Sequence, residues 1–94
     1  IKKMGYRIEL EEIDNAFFNL SSVREALCVS YKDDLSVKIV AAVVSDSSEK
    51  EILNDLGKYI PKYMIPDQLI FYKELPKNPN GKLNRKKIKE ELKI

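Results

Sequence analysis

Lys82 ends the most irregular stretch of the chain and is the side chain best suited to chemistry. The stretch from Leu75 to Lys82 holds two prolines and the turn dipeptide Asn80-Gly81, and Asn84, a good helix N-cap residue, follows it. Proline stiffens a loop, and glycine lets the backbone turn with a positive φ. A stiff loop that presents an ammonium group suits phosphate binding, although ordinary surface loops share this composition.

Gly81-Lys82 is not part of a Walker A loop. That loop needs a glycine five residues before Gly81, where this chain has Pro76, and Ser or Thr after the lysine, where it has Leu83. Nucleotide binding through a P-loop is therefore not expected.

The other reactive side chains are better explained by structure than by catalysis. The chain has no histidine, which excludes a Ser-His-Asp or Cys-His nucleophile within it and argues against a transition-metal site. Cys28 lies in an apolar segment and is predicted to be buried and unreactive. The neighbouring carboxylates of Glu11-Glu12 and Glu90-Glu91 point about 100° apart on a helix, so they are expected in solvent. Asp33-Asp34 fits a turn better than a calcium site.

Size and composition predict one small domain. The chain has 94 residues, of which 44% are hydrophobic and 34% charged. The longest apolar run, from Ile39 to Val44, is too short to span a membrane. A single cysteine and no signal-peptide pattern favour the cytoplasm. The chain begins at Ile1 rather than Met, so we expect it to be part of a longer protein.

Charge is distributed unevenly. Residues 1–72 contain 9 Lys/Arg and 12 Asp/Glu, whereas residues 73–94 contain 8 Lys/Arg and 3 Asp/Glu. This basic end suits either an anionic partner or a solvated, lysine-rich helix.

Apolar spacing predicts the elements that position these residues. A first helix carries Leu10, Ile13, Phe17 and Leu20 on one face. Strands are predicted over 26–31 and 37–44, joined as a hairpin by 33–36, and over 69–72 at a sheet edge. A second helix starts at a Ser48/Glu51 capping box, and a third starts at Asn84 with a Leu83/Ile88 staple. The predicted fold is α+β, with a small, mainly antiparallel sheet flanked by helices.

Two segments, IKKMGYRIELEEID at the start of the chain and PNGKLNR near its end, resemble motifs of the adenylate-forming (AMP-binding) ligases. This superfamily includes acyl-CoA synthetases, peptide-synthetase adenylation domains and luciferases. Residues 1–14, IKKMGYRIELEEID, are similar to the motif that opens the C-terminal domain in this family. Residues 79–85, PNGKLNR, are similar to its final motif, which carries the catalytic lysine. Residues 63–66, YMIP, resemble the stretch that commonly precedes the final motif.

The sequence also departs from the family pattern. Glu11 stands where many members have glycine, and this makes the opening motif similar to that of D-alanine–carrier-protein ligases. Asn84 stands where aspartate is usual, and both residues cap helices well.

The resemblance implies that residues 1–94 form the mobile C-terminal domain of an enzyme whose large N-terminal domain is absent here. Such an enzyme joins a carboxylic or amino acid to ATP, forming an acyl-adenylate, and passes the acyl group to a pantetheine thiol of a carrier protein or CoA. ATP and Mg²⁺ would be bound mainly by the N-terminal domain. The implied partners are that domain and the carrier protein or CoA, with no nucleic acid and no membrane.

The resemblance also assigns the site residues. Lys82 is the implied catalytic residue, with Gly81 and Asn80 as its supporting loop and no metal ligands. Gly5 would border the thiol channel, and Arg7 would meet a nucleotide or pantetheine phosphate. A plain turn glycine and a surface ion-pair residue are the alternatives for Gly5 and Arg7.

Two other functions fit parts of the sequence. Residues 73–94 could form a basic nucleic-acid-binding module, but the aromatic residues that would stack bases lie upstream, in apparent core positions. The chain could also be a non-catalytic domain that docks on a carrier protein.

Overall fold

The computed structural model describes residues 1–34 and 36–94 and shows an α+β fold. Its strands are β1 (Lys2–Lys3), β2 (Tyr6–Arg7), β3 (Val23–Asp33), β4 (Ser36–Ser45) and β5 (Gln68–Phe71). Its α-helices are α1 (Leu10–Phe18), α2 (Glu49–Leu56) and α3 (Arg85–Leu92), with a 3₁₀ turn at Lys62–Met64. The predicted α+β class is confirmed.

The strands form two sheets. In the larger one β4 lies between β3 and β5. β3 and β4 pair antiparallel from Val23↔Ser45 to Asp33↔Ser36, which confirms the predicted hairpin, although Leu35 of its turn lies outside the described residues. β5 lies at the edge, as predicted, and runs parallel to β4. A parallel neighbour requires a crossover connection, and α2 lies within it.

The central strand β4 is buried on both faces, as its continuous apolar run predicts. Because side chains alternate along a strand, β4 contributes to two separate cores. Ile39, Ala41 and Val43 pack with α1 and α2 in the first core. Val40, Ala42 and Val44 pack with β3 and α3 in the second core. The sheet is therefore covered by helices on both sides.

Side chains cap α2 and α3 where the sequence predicts it. The Glu51 backbone N–H donates to Ser48 Oγ at 3.2 Å, and that of Lys87 donates to Asn84 Oδ1 at 3.0 Å. The capping box differs in detail, because the Glu51 carboxylate accepts from the Ser48 hydroxyl and not from its backbone N–H. Leu83 packs against the core that contains Ile88, in agreement with the predicted staple.

Within the described residues, no helix has both the length and the apolar character needed to cross a membrane.

Candidate functional site

Lys82 follows a tight turn formed by residues 78–81. The Gly81 N–H donates to the Asn78 carbonyl at 2.8 Å, and the Asn78 N–H donates to the Lys82 carbonyl at 2.7 Å. Gly81 has a φ of +85°, in the left-handed region that favours glycine. An antiparallel β-bridge between Lys77 and Leu83 continues the pairing beyond the turn. The segment that looked irregular in sequence is therefore a small hydrogen-bonded hairpin.

The Lys82 side chain is exposed at the end of this hairpin. In residues 1–34 and 36–94, no carboxylate lies within ion-pairing distance of its ammonium group. Asn80 Oδ1 lies 3.4 Å from the Lys82 backbone N–H, close enough only for a weak hydrogen bond. The backbone of Lys82 is thus fixed, while its positive charge is available to an anion from outside the domain.

Ion pairs anchor both arms of the hairpin to the body of the domain. On the first arm, Lys77 Nζ lies 3.0 Å from Glu25 Oε2 on β3. On the second arm, Arg85 Nη2 donates to Asp14 Oδ2 on α1 at 2.8 Å, and Arg85 Nη1 donates to the Cys28 carbonyl. Asp14 Oδ1 accepts the Cys28 backbone N–H at 2.8 Å. Asp14, Cys28 and Arg85 thus form a closed hydrogen-bonded ring.

Cys28 itself is fully buried, as predicted. Burial, followed by the nearby Asp14 carboxylate, raises the pKa of the Cys28 thiol well above its usual value. A buried thiol with a raised pKa is a poor nucleophile, so the contribution of Cys28 is its backbone.

Gly5 lies at the tip of the β1–β2 hairpin. The two residues of this turn, Met4 and Gly5, have φ values of +52° and +82°. Positive φ at both central positions is the signature of a type I′ turn. A Cβ built on Gly5 meets no atom within 4 Å. Nothing within the described domain therefore crowds this glycine, and only its backbone conformation restricts substitution.

Arg7 lies on β2 and is largely in solvent, with 83% of its side chain exposed. Its Nε lies 3.5 Å from Glu9 Oε1, so the surface ion pair considered as its alternative role exists here. Exposed pairs of this kind are weak. Arg7 could therefore leave Glu9 for a phosphate at little cost.

The β1–β2 hairpin is attached to the body at two points. The Tyr6 ring stacks on that of Tyr63, with centroids 3.9 Å apart. Lys3 Nζ donates to Asp67 Oδ2 at 2.5 Å, and the same oxygen accepts the Ile39 N–H at 2.8 Å. Burial alone would raise the pKa of Asp67, but these two hydrogen bonds, together with the positive charges of Lys3 and Lys38, outweigh it and lower that pKa below its usual value. Asp67 is therefore an ionised anchor for the hairpin.

The sequence-predicted residues fall into two groups. Asn80, Gly81 and Lys82 share one turn, whereas Gly5 and Arg7 share the β1–β2 hairpin. In the part of the chain that the structure describes, no hydrogen bond or ion pair links the two groups. Asp14 and Arg85 lie within the two motifs, but the sequence predicts no role for either. They lie 71 positions apart, and no local pattern signals their contact.

Comparison with known proteins shows the family to which this chain is similar. Residues 12–82 match the family model described as AMP-binding enzyme C-terminal domain. The chain is 42% identical to D-alanine–D-alanyl carrier protein ligase of Staphylococcus aureus over an alignment of 98 positions. The alignment covers 96% of this chain and 20% of that protein.

Solved structures share the fold. NpsA of Klebsiella oxytoca, in complex with 3-hydroxyanthranilyl-AMSN, aligns with a TM-score of 0.91 and 27% identity, over 100% of this chain and 19% of that one. A fatty acyl CoA synthetase of Mycobacterium tuberculosis aligns with a TM-score of 0.87 and 26% identity, over 97% and 19%. The chain thus spans about a fifth of the length of these relatives, and it belongs to the family of C-terminal domains of AMP-binding enzymes.

Proposed function

We propose that residues 1–94 are the mobile C-terminal domain of an AMP-forming acid–thiol ligase, and that Lys82 is its catalytic lysine. The observation that carries the proposal is the exposed ammonium of Lys82 on a hairpin whose backbone is fixed, in a chain of this family. The similarity to a D-alanyl carrier protein ligase favours a carrier-protein pantetheine arm over CoA as the thiol acceptor. The remaining partner is a larger N-terminal domain, with the cytoplasm as the compartment.

In the first half-reaction, a carboxylate oxygen attacks the α-phosphate of ATP, and pyrophosphate leaves. Two anions approach each other, and negative charge accumulates on the phosphoryl oxygens in the transition state. An ammonium group placed between them lowers this repulsion most at that point, which is the kind of binding that accelerates a reaction. Lys82 supplies a compact positive charge on a long, flexible stem, as this task requires.

Metal binding is proposed to belong to the larger domain. The described residues contain no group of three acidic, cysteine or histidine side chains suited to hold a metal ion. Any Mg²⁺ that accompanies ATP would have its protein ligands in the larger domain, and in adenylate formation this chain would contribute Lys82 and its supports.

In the second half-reaction, the domain rotates, so that Lys82 withdraws and the β1–β2 hairpin faces the active site. Gly5 then lies against the channel for the pantetheine thiol, where a side chain would intrude. Its exposed position at a hairpin tip with open space around it supports this placement. Arg7 is proposed to exchange its weak pair with Glu9 for a phosphate of the nucleotide or of pantetheine.

The test is Lys82→Ala in the full-length enzyme, with the two half-reactions measured separately. We expect ATP–pyrophosphate exchange to fall by about 10²- to 10³-fold, the usual loss when one preorganised transition-state donor is removed. Thiol acylation from preformed acyl-adenylate should continue, because Lys82 has left the active site at that stage. The melting temperature should barely change, since an exposed loop lysine makes few contacts.

Lys86→Ala is the matched control, because Lys86 is also exposed and lies four residues further along the same basic segment. It should leave both half-reactions intact. Full adenylation activity in Lys82→Ala would refute the assignment of Lys82. An equal loss in Lys86→Ala would mean that general positive charge, and not one lysine, is required.

A further inference from the structure

We propose that Asp14 and Arg85 form a clamp that positions Lys82 for adenylate formation. The proposal rests on the catalytic role of Lys82 proposed above and adds two positioning residues to it. Neither residue is expected to touch a substrate. Their function would be to hold the second arm of the Lys82 hairpin at a fixed place on the domain surface.

The clamp is defined by three hydrogen bonds among two side chains and one backbone. Each oxygen of the Asp14 carboxylate accepts one bond, Oδ1 from the Cys28 N–H and Oδ2 from Arg85 Nη2, both at 2.8 Å. Arg85 uses its second terminal nitrogen for the Cys28 carbonyl. A planar guanidinium that donates in two directions fixes orientation as well as distance. A lysine at position 85 would offer one nitrogen in place of two and would not fix the orientation in the same way.

The clamp is attached to buried parts of α1 and β3. Asp14 lies next to the fully buried Ile13 on α1, and Cys28 is fully buried in β3. The side chains of Asp14 and Arg85 are themselves 16% and 34% exposed, so water screens the pair only in part. The contact is therefore between the first core and the start of α3, and it is made by side chains that have little freedom to move.

Few residues separate the clamp from the catalytic lysine. Arg85 is three positions after Lys82, and the two residues between them are also held. Leu83 packs into the second core, and the Asn84 N–H donates to the Pro76 carbonyl at 2.9 Å. Because residues 82–85 form a short segment with little freedom, a shift of Arg85 is expected to displace Lys82. Misplacement of a catalytic group by about 1 Å can slow a reaction by about 10²-fold.

The clamp should matter for one half-reaction only. Lys82 acts in adenylate formation, whereas acyl transfer to the thiol is proposed to use the β1–β2 hairpin. That hairpin is attached elsewhere, through Asp67 and Tyr63. Loss of the clamp should thus separate the two activities, which a general loss of folding would not do.

The experiment uses the full-length enzyme with Arg85→Ala, Asp14→Asn and the matched control Arg24→Ala. Arg24 also pairs with an aspartate at 2.9 Å, that of Asp46, but the pair is exposed and lies outside both motifs. Arg85→Ala should slow ATP–pyrophosphate exchange by roughly 10- to 100-fold. Acyl transfer from preformed acyl-adenylate should change by less than about twofold, and Arg24→Ala should leave both rates unchanged. Asp14→Asn keeps an acceptor for the Cys28 N–H but loses the charged partner of Arg85, so it should share the selective defect.

A double variant tests whether the clamp acts through Lys82. In the Lys82→Ala background, Arg85→Ala should cause no further loss of adenylation, because the group that it positions is already gone. A full additional loss in that background would overturn the proposal, as would equal loss of both half-reactions in Arg85→Ala or an unchanged exchange rate. If Lys82→Ala itself retained adenylation, the proposed function would fail as well, so the two failures are distinguishable.

Discussion

Gly5 and Gly81 have almost the same φ at the tips of two different hairpins. Their φ values are +82° and +85°, and a Cβ built on either meets no atom within 4 Å. Any L-residue at these positions carries a similar strain of about 1–2 kcal/mol. If substitutions at the two sites change activity differently, the difference should therefore come from the groups that each hairpin contacts in the full-length enzyme.

We expect Gly5→Leu in the full-length enzyme to block acyl transfer and leave ATP–pyrophosphate exchange largely intact, because the added side chain would fill the thiol channel. Gly81→Leu is the matched control, with the same backbone strain beside Lys82, and it should reduce exchange instead. Both variants are assayed in both half-reactions. Parallel loss of the two activities in Gly5→Leu would mean that Gly5 serves folding and not the channel.

Functional residues could be predicted from the sequence where they lie in one contiguous motif. Contacts between residues far apart in the sequence could not. Lys82 could be singled out because prolines, a turn dipeptide and a cap residue surround it in sequence. The partners of Arg85 could not, since Asp14 and Cys28 come from α1 and β3, and charged residues give no periodic signal. Only the fold brings these groups together.

The β1–β2 hairpin is an element of two short strands, and it depends on its attachments for stability. Asp67 is the central attachment, since its Oδ2 accepts from both Lys3 and the Ile39 backbone. Because the folded-state pKa of Asp67 lies below the unfolded value of 3.8, the carboxylate stabilises the folded state fully above that value. The stabilisation is lost as the pH falls through the folded-state pKa.

We expect Asp67→Asn to lower the free energy of unfolding at pH 7 by about 1–2 kcal/mol, as charged hydrogen bonds in a partly exposed site are lost. The difference from the unsubstituted chain should shrink below pH 3.8. Urea denaturation of both proteins over a pH series measures this. Asp46→Asn, at a fully exposed ion pair, should change the free energy of unfolding far less than Asp67→Asn does. An Asp67→Asn difference that is independent of pH would contradict the ionised anchor.

Helix starts and the hairpin of β3 and β4 were predictable because their signals are local, as with Ser48 and Asn84. The direction of β5 was not. A four-residue apolar strand has the same pattern whether it runs parallel or antiparallel to its neighbour. Its direction is set by the path of α2 across the sheet, which brings the chain back to start β5 beside Val40.

The whole molecule has a core on each face of one sheet, and each core supports one motif. Ile8 and Ile13 of the opening motif pack in the first core. Leu83 of the final motif and Ile88, which follows that motif, pack in the second core. The proposed function, in which one motif and then the other faces the same active site, requires both motifs to be held on a common frame. The sheet provides that frame.

We expect the isolated 94 residues to fold and to catalyse no carboxylate-dependent ATP–pyrophosphate exchange. Two buried cores support folding, whereas the proposed acid and nucleotide pockets belong to the larger domain. Cooperative unfolding followed by circular dichroism tests the first part, and an exchange assay with the full-length enzyme as positive control tests the second. If the purified 94 residues catalysed exchange and a mock preparation did not, the proposal that the acid and nucleotide pockets belong to the larger domain would be wrong.

The ring of Asp14, Cys28 and Arg85 has a consequence for solubility as well. β3 is an edge strand, and a free strand edge offers its N–H and C=O groups to any extended chain that approaches. At Cys28 both groups are already taken by charged side chains, so an incoming strand would have to displace a carboxylate and a guanidinium at the middle of its path. Variants that break the ring therefore uncover a template for strand addition. Their tendency to self-associate, measured by sedimentation, is expected to rise together with their catalytic defect.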